Sequence, residues 1–139
     1  MDAFDTDVLI YAAAPDHPLG RRVAALFPAQ QQGPPAGIGS VLLLPEVLSK
    51  PLRDEQPDEV AALAALLARL DLRPLDRATA ELATALSSSY GMRAADAVHL
   101  ATAVAGGADR FITNNRRDFS TVIAEIDVVY PEDLPDPDA

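Results

Sequence analysis

Asp5, Glu46, Asp96 and the run Thr113-Asn114-Asn115 are the residues of this chain whose chemistry asks for an explanation. Asp5 follows Ala3-Phe4 and precedes Thr6-Asp7 and the apolar run Val8-Leu9-Ile10-Tyr11. That pattern predicts a short buried strand ending in an acid, with a helix starting behind it. An acid so placed lies at the carboxyl edge of a parallel sheet, where open α/β folds hold their ligands. A plainer reading makes Asp7 the N-cap of the helix and Asp5 a turn residue. Carboxylates gathered without Lys or Cys repel one another, and they persist around a cation or by sharing protons. Hard oxygen ligands select Mg²⁺ or Mn²⁺ over zinc. Acid clusters of this kind suit in-line displacement at phosphorus, with metal-activated water and a stabilised leaving oxygen. The acids are far apart in sequence, so their convergence rests on the fold.

The elements that would position them follow from punctuation and periodicity. Val8 to Ala14 reads as a short helix stopped by Pro15, and Pro18 to Gln32 as a second, with Val23, Leu26 and Phe27 on one face. Ala36 to Gly39 is the expected second strand, and Ser40 the N-cap of a helix from Val41 to Ser49. Pro45 is expected to kink that helix, leaving Glu46 among leucines and in need of a partner. Pro51 to Pro57 reads as a loop, Asp58 to Leu70 as a helix, and Asp71 to Leu75 as a short strand or connector. Asp76 caps a helix from Arg77 to Ser89, which Gly91 ends.

Arg93 to Val104 is the next helix. Asp96 lies in its first turn, where the helix dipole favours a negative charge. His99 on the same helix reads as a packed, hydrogen-bonded residue, with metal ligation as the alternative. Ala108 to Thr113 and Ile126 to Tyr130 complete the strands, and the acidic, proline-rich segment Glu132 to Ala139 reads as a loose tail. Strands alternating with helices imply a mostly parallel sheet of four to five strands in a single α/β domain.

Composition narrows the function classes. The chain has 139 residues, of which 49% are hydrophobic, consistent with a folded domain. It has no cysteine, which excludes disulfides, thiolate zinc sites and Cys nucleophiles. No apolar run approaches the roughly 20 residues of a membrane span, and no signal-peptide pattern opens the chain, so a cytoplasmic location is expected. The net charge of -10 argues against nucleic acid, unless divalent cations reverse the sign of an acidic site. Lys50 is the only lysine, and arginine, the better phosphate fork, supplies the remaining positive charge. The pairs Arg21-Arg22 and Arg116-Arg117 are candidates for phosphate contacts. The first pair reads better as solvated surface charge.

Several stretches together resemble the PIN domain, in particular the VapC-type toxin ribonucleases of type II toxin–antitoxin pairs. They are Phe4 to Tyr11, Ser40 with Glu46, Ala95-Asp96-Ala97-Val98-His99-Leu100-Ala101-Thr102-Ala103, Gly107 to Asn114, and Ile126 to Pro131. The resemblance implies a PIN-like fold over residues 1–131 and a Mg²⁺- or Mn²⁺-dependent endoribonuclease. It implies that Asp5 and Asp96 are the principal metal ligands and that Glu46 orients metal-bound water. Thr6 and Thr113 would hold the Asp5 carboxylate. The family often carries a fourth acid where this chain has Asn115, which puts a second metal in doubt; Asp118 is the available substitute. Arg116 and Arg117 are the expected RNA contacts. Expected partners are tRNA or rRNA, a second copy of the chain, and a cognate antitoxin. The antitoxin would lay an apolar segment along the Leu-rich third helix and Leu63, Leu66 and Leu67.

Two other readings compete. Asp5 and Asp7 have the spacing of nucleophile and general acid in haloacid-dehalogenase-like phosphatases, for which Lys50 is the only candidate lysine. A non-catalytic PIN-type interaction module is the other, favoured by the charge and by Asn115.

Overall fold

In a computed structural model that describes residues 1–29 and 32–139, the chain folds around a five-stranded, all-parallel sheet. The strands are β1 (Asp2–Phe4), β2 (Gly37–Ser40), β3 (Leu70–Arg73), β4 (Arg110–Ile112) and β5 (Asp127–Val129). Six helices accompany them: α1 (Thr6–Ala13), α2 (Pro18–Ala24), α3 (Leu43–Arg53), α4 (Pro57–Leu67), α5 (Arg77–Tyr90) and α6 (Ala94–Ala105). The strand order is β3-β2-β1-β4-β5. The order reverses between β1 and β4, which creates a crevice at the carboxyl ends of those two strands.

Apolar side chains divide between two cores. Ala3, Ile38, Phe111, Leu100 and Phe119 belong to one, against α5 and α6. Phe4, Val8, Leu9, Leu43, Leu63 and Ile112 belong to the other, against α1, α3 and α4. Alternation along β1 and β4 thus sends neighbouring residues into opposite cores, as a sheet covered on both sides requires. Each fully buried Leu, Ile or Phe adds about 1.5–3 kcal/mol. Gly37 permits the close pairing of β1 and β2, because a Cβ there would stand 2.3 Å from the Asp2 carbonyl oxygen. Gly91 ends α5 with φ at 68°, a left-handed conformation that favours glycine.

Several boundaries differ from the sequence expectation. The helix expected from Pro18 to Gln32 ends at Ala24, and its Gln30 and Gln31 lie outside the described residues. Ser40 does not cap α3; it ends β2, and α3 begins at Leu43 behind Leu42 with no side-chain cap. Pro45 therefore occupies the first turn, where its missing N–H costs no helical bond and gives no reason for a kink. Pro51 is the proline inside α3, which runs on to Arg53 through much of the expected loop. The fourth helix covers Pro57–Leu67, and Leu70 opens β3.

The acidic tail makes contacts with the body of the domain. A 3₁₀ turn over Pro131–Asp133 leads to Leu134, which is buried in the second core. Arg22 donates to the carbonyls of Glu132 (2.9 Å) and Leu134 (2.8 Å), and Arg21 pairs with Asp138. The Arg21-Arg22 pair thus serves to dock the tail. Among the described residues, no helix is long and apolar enough to cross a membrane.

Candidate metal centre

β1 ends at Phe4, and Asp5 takes the N-cap position of α1; Asp7 is in the first turn and is not the cap. The Asp5 backbone N–H still donates to the Ile112 carbonyl at 2.9 Å, so the sheet fixes the residue. Its carboxylate accepts from the Thr6 backbone N–H at 2.8 Å and from the Thr113 hydroxyl at 2.7 Å. Thr113 itself follows β4 and is fully buried. The strands on either side of the crevice thereby clamp a single acid. The expectation that Thr6 holds Asp5 is met through its backbone alone, because its hydroxyl donates to Glu46 Oε1 at 2.7 Å.

Glu46 stands in the first turn of α3, and its side chain is 30% exposed. It is not enclosed by leucines as expected. Its Oε1 is also 2.5 Å from His99 Nε2. His99 is the packed, hydrogen-bonded residue anticipated from the sequence, at 3% exposure. The Glu46 contact takes up its Nε2, and its Nδ1 is buried without a partner, so neither nitrogen faces the cleft as a ligand.

Asp5, Thr6, Asp7, Ile10, Glu46, Asp96 and Asn115 line one cleft of about 400 Å³. The structure thus unites residues from the ends of β1 and β4 with the first turns of α1, α3 and α6. No Arg or Lys lines this cleft. The electrostatic consequence is plain. Burial pushes the Asp5 carboxyl above its usual range, against the opposing Thr113 hydrogen bond. Asp7 is pushed up to about 7, by burial first and by the Asp5 charge second, although the Asn114 N–H donates to it. Asp96 is also raised, by burial and then by the charges of Asp5 and Asp118.

Asp7 and Arg93 are the residues that sequence reasoning left out of this site. Asp7 was legible, since it stands two positions after Asp5 on the same first helical turn. Arg93 is exposed at the N-cap of α6, and its charge favours the ionised form of Asp96. Its place three residues before Asp96 is the only signal it left.

Asn115 lines the cleft and is tied to Asp118. Its side-chain amide donates to Asp118 Oδ2 at 2.8 Å, and its carbonyl oxygen accepts from the Asp118 backbone N–H at 3.2 Å. Asp118 does not line the cleft; it acts there through its field on Asp96. Arg116 and Arg117 are both exposed. Arg116 stacks on the Tyr130 ring at 4.1 Å and pairs with Glu132.

The donor set suits a hard divalent cation. Among the described residues, no group of three His, Asp or Glu side chains is arranged to grip a metal unaided. Mg²⁺ does not ask for such a cage, because it keeps several waters and takes one or two carboxylates. Acids with raised proton affinity and no Arg or Lys beside them in the cleft are what a bound cation would discharge. Lys50 is exposed and absent from the cleft, so the phosphatase reading lacks its lysine. The expected antitoxin groove also changes. Leu63 and Leu67 point into the core, Leu66 is half-buried, and Leu44 and Leu52 are the exposed leucines of α3.

Among curated proteins, none gives a significant sequence match. A solved toxin–antitoxin complex from Klebsiella pneumoniae contains a chain 27% identical to this one, with a TM-score of 0.71. The alignment covers 94% of this chain and 98% of that one. The PIN domain profile matches residues 3–124, which also removes the phosphatase alternative. The chain belongs to the PIN domain family.

Proposed function

We propose that this protein is a Mg²⁺- or Mn²⁺-dependent endoribonuclease and the toxin of a toxin–antitoxin pair. The observation that carries the chemistry is the cleft itself, where four carboxylates converge with no Arg or Lys among the lining residues. Asp5 and Asp96 are the ligands in this reading, one fixed by the sheet and one by a helix N-terminus. A divalent cation held by these two residues would supply an activated water and stabilise the leaving oxygen of an in-line displacement. Glu46 is the general base. Its carboxylate lines the cleft and takes the proton of the attacking water in this reading. Hydrolysis leaves a 5′-phosphate and a 3′-hydroxyl. Asp7, with an affinity for protons near neutrality, holds or releases charge beside the ligands.

RNA reaches this acidic face through arginine. Arg117 and Arg93 are the better candidates for phosphate contacts, since Arg116 is engaged by Tyr130 and Glu132. Asn115 supplies no charge at the fourth position, which favours a single resident cation. The antitoxin reading draws on the Klebsiella complex. Exposed apolar surface near Ile10, Ala13, Pro15 and Ala62, continuing to Leu52 and Val60, suits an apolar segment of such a partner. A homodimer and a cytoplasmic setting accompany this reading.

The test is incubation of purified protein with total RNA and a tRNA panel, with Mg²⁺, Mn²⁺ or EDTA. Discrete metal-dependent cuts that vanish in Asp5→Asn are expected. Folded, metal-binding protein that leaves every RNA intact would instead identify a PIN-type interaction module, with Asn115→Asp as the variant to restore cleavage.

A further inference from the structure

The contact between His99 and Glu46 has no place in the metal chemistry itself. The ring is 3% exposed, and its Nδ1 is buried with no hydrogen-bond partner among the described residues. A buried lone pair left without a donor is a cost that leucine in the same volume would not carry. The other nitrogen, Nε2, lies 2.5 Å from Glu46 Oε1, and that same oxygen accepts the Thr6 hydroxyl at 2.7 Å. An ionised carboxylate only accepts, so the nitrogen facing it carries the proton. One oxygen of Glu46 thus has two donors, one from α1 and one from α6, while no protein donor among the described residues reaches Oε2.

We propose that His99 is a positioning residue. Its Nε2–H and the Thr6 hydroxyl lock the Glu46 carboxylate by one oxygen, so that Oε2 faces the cleft in a fixed direction. The unpaired Nδ1 follows from that assignment, because the proton on Nε2 leaves Nδ1 bare. The glutamate is otherwise free to swing, since it lies on the first turn of α3 with a side chain 30% exposed. Hydrogen bonds to one carboxylate oxygen restrict that freedom and orient the other, as outer partners do around ligating and catalytic groups.

The kinetic half of this inference rests on the ribonuclease reading; the hydrogen bond does not. His99→Leu keeps the volume and removes the donor. It should lower kcat about 10–100-fold with KM for RNA unchanged. His99→Gln, whose amide reaches the same oxygen, should recover most of that loss. A packing role alone predicts the reverse order, with Leu the better substitute in both rate and Tm, and that result would overturn the proposal. The second measurement is the nitrogen-15 spectrum of the His99 imidazole in the wild type and in Glu46→Gln. A proton on Nε2, with a resonance that moves in Glu46→Gln, supports the positioning; a ring with no proton on Nε2 overturns it. Were the wild type to cleave no RNA, the nuclease reading would fall while the imidazole spectrum still decided the hydrogen bond.

Discussion

Asp2 and Asp5 lie three residues apart, at opposite ends of the same strand, and the fold treats their charges in opposite ways. At the amino end, Asp2 receives a two-pronged hydrogen bond from Arg110 on the neighbouring β4, at 2.9 and 3.0 Å. The first residue of the chain is matched there too, its ammonium paired with Asp109. At the carboxyl end, Asp5 shares its cleft with Asp7, Glu46 and Asp96, and no Arg or Lys lines it. The pair at one end holds β1 and β4 in register. At the other end burial, and after it the Asp5 charge, raises the proton affinity of Asp7 and Asp96. A chain able to neutralise an aspartate with an arginine on one edge leaves four acids together on the other, a charge that the proposed cation would balance.

Substitutions sharpen this contrast, beginning with the largest expected effect. Asp5→Asn should remove RNA cleavage by on the order of 10³-fold or more, measured on the most sensitive RNA of the panel, while circular dichroism stays native. Asp2→Asn should leave the cleavage rate within about twofold, because Asp2 does not line the cleft and lies at the other end of β1. Adding Mg²⁺ or Mn²⁺ should raise the wild-type Tm, by about 2.7 kcal/mol of stabilisation when the cation is at a hundredfold excess over Kd. Asp5→Asn should abolish that response, and Asp2→Asn should keep it.

The structural end should respond in stability alone. Asp2→Ala strands the Arg110 guanidinium, which is 34% exposed, and should cost about 1–2 kcal/mol in denaturant unfolding. The functional end should respond in the opposite direction. Asp7 has its carboxyl raised from 3.8 to about 7. Across that window the folded chain holds a proton that the unfolded chain has lost. The metal-free protein therefore loses stability as pH rises from about 4 to 7 and changes little above, as far as this group is concerned. Asp7→Asn should raise the metal-free Tm at pH 8, by about 4 °C for each kcal/mol of charge burial and repulsion relieved. The gain should vanish near pH 4, and thermal scans across pH would show whether it does.

Much of this was legible before any coordinates. The alternation of β and α segments implies the parallel sheet, and the acids that end strands or open helices mark the cleft. Boundaries were less legible where one residue type has two uses. Ser40 resembles a cap, yet it closes β2, because the turn before α3 is built by Val41 and Leu42. Pro45 resembles a kink, yet at the third helical position its absent N–H is no loss. Pro51 reads as a loop residue because propensity weighs against an interior proline, yet it lies buried inside α3. The docking of the tail depends on Arg22 meeting backbone carbonyls more than a hundred positions away, which no local pattern encodes. The same holds for the His99–Glu46 contact between α6 and α3.

The most direct test of the cation's place in this account is a calorimetric titration of Mn²⁺ into wild type, Asp2→Asn and Asp5→Asn. The account predicts equal affinity for the first two proteins and no measurable binding at the cleft for the third. Binding by Asp5→Asn with wild-type affinity would contradict it, and would place the cation somewhere other than the carboxyl end of β1.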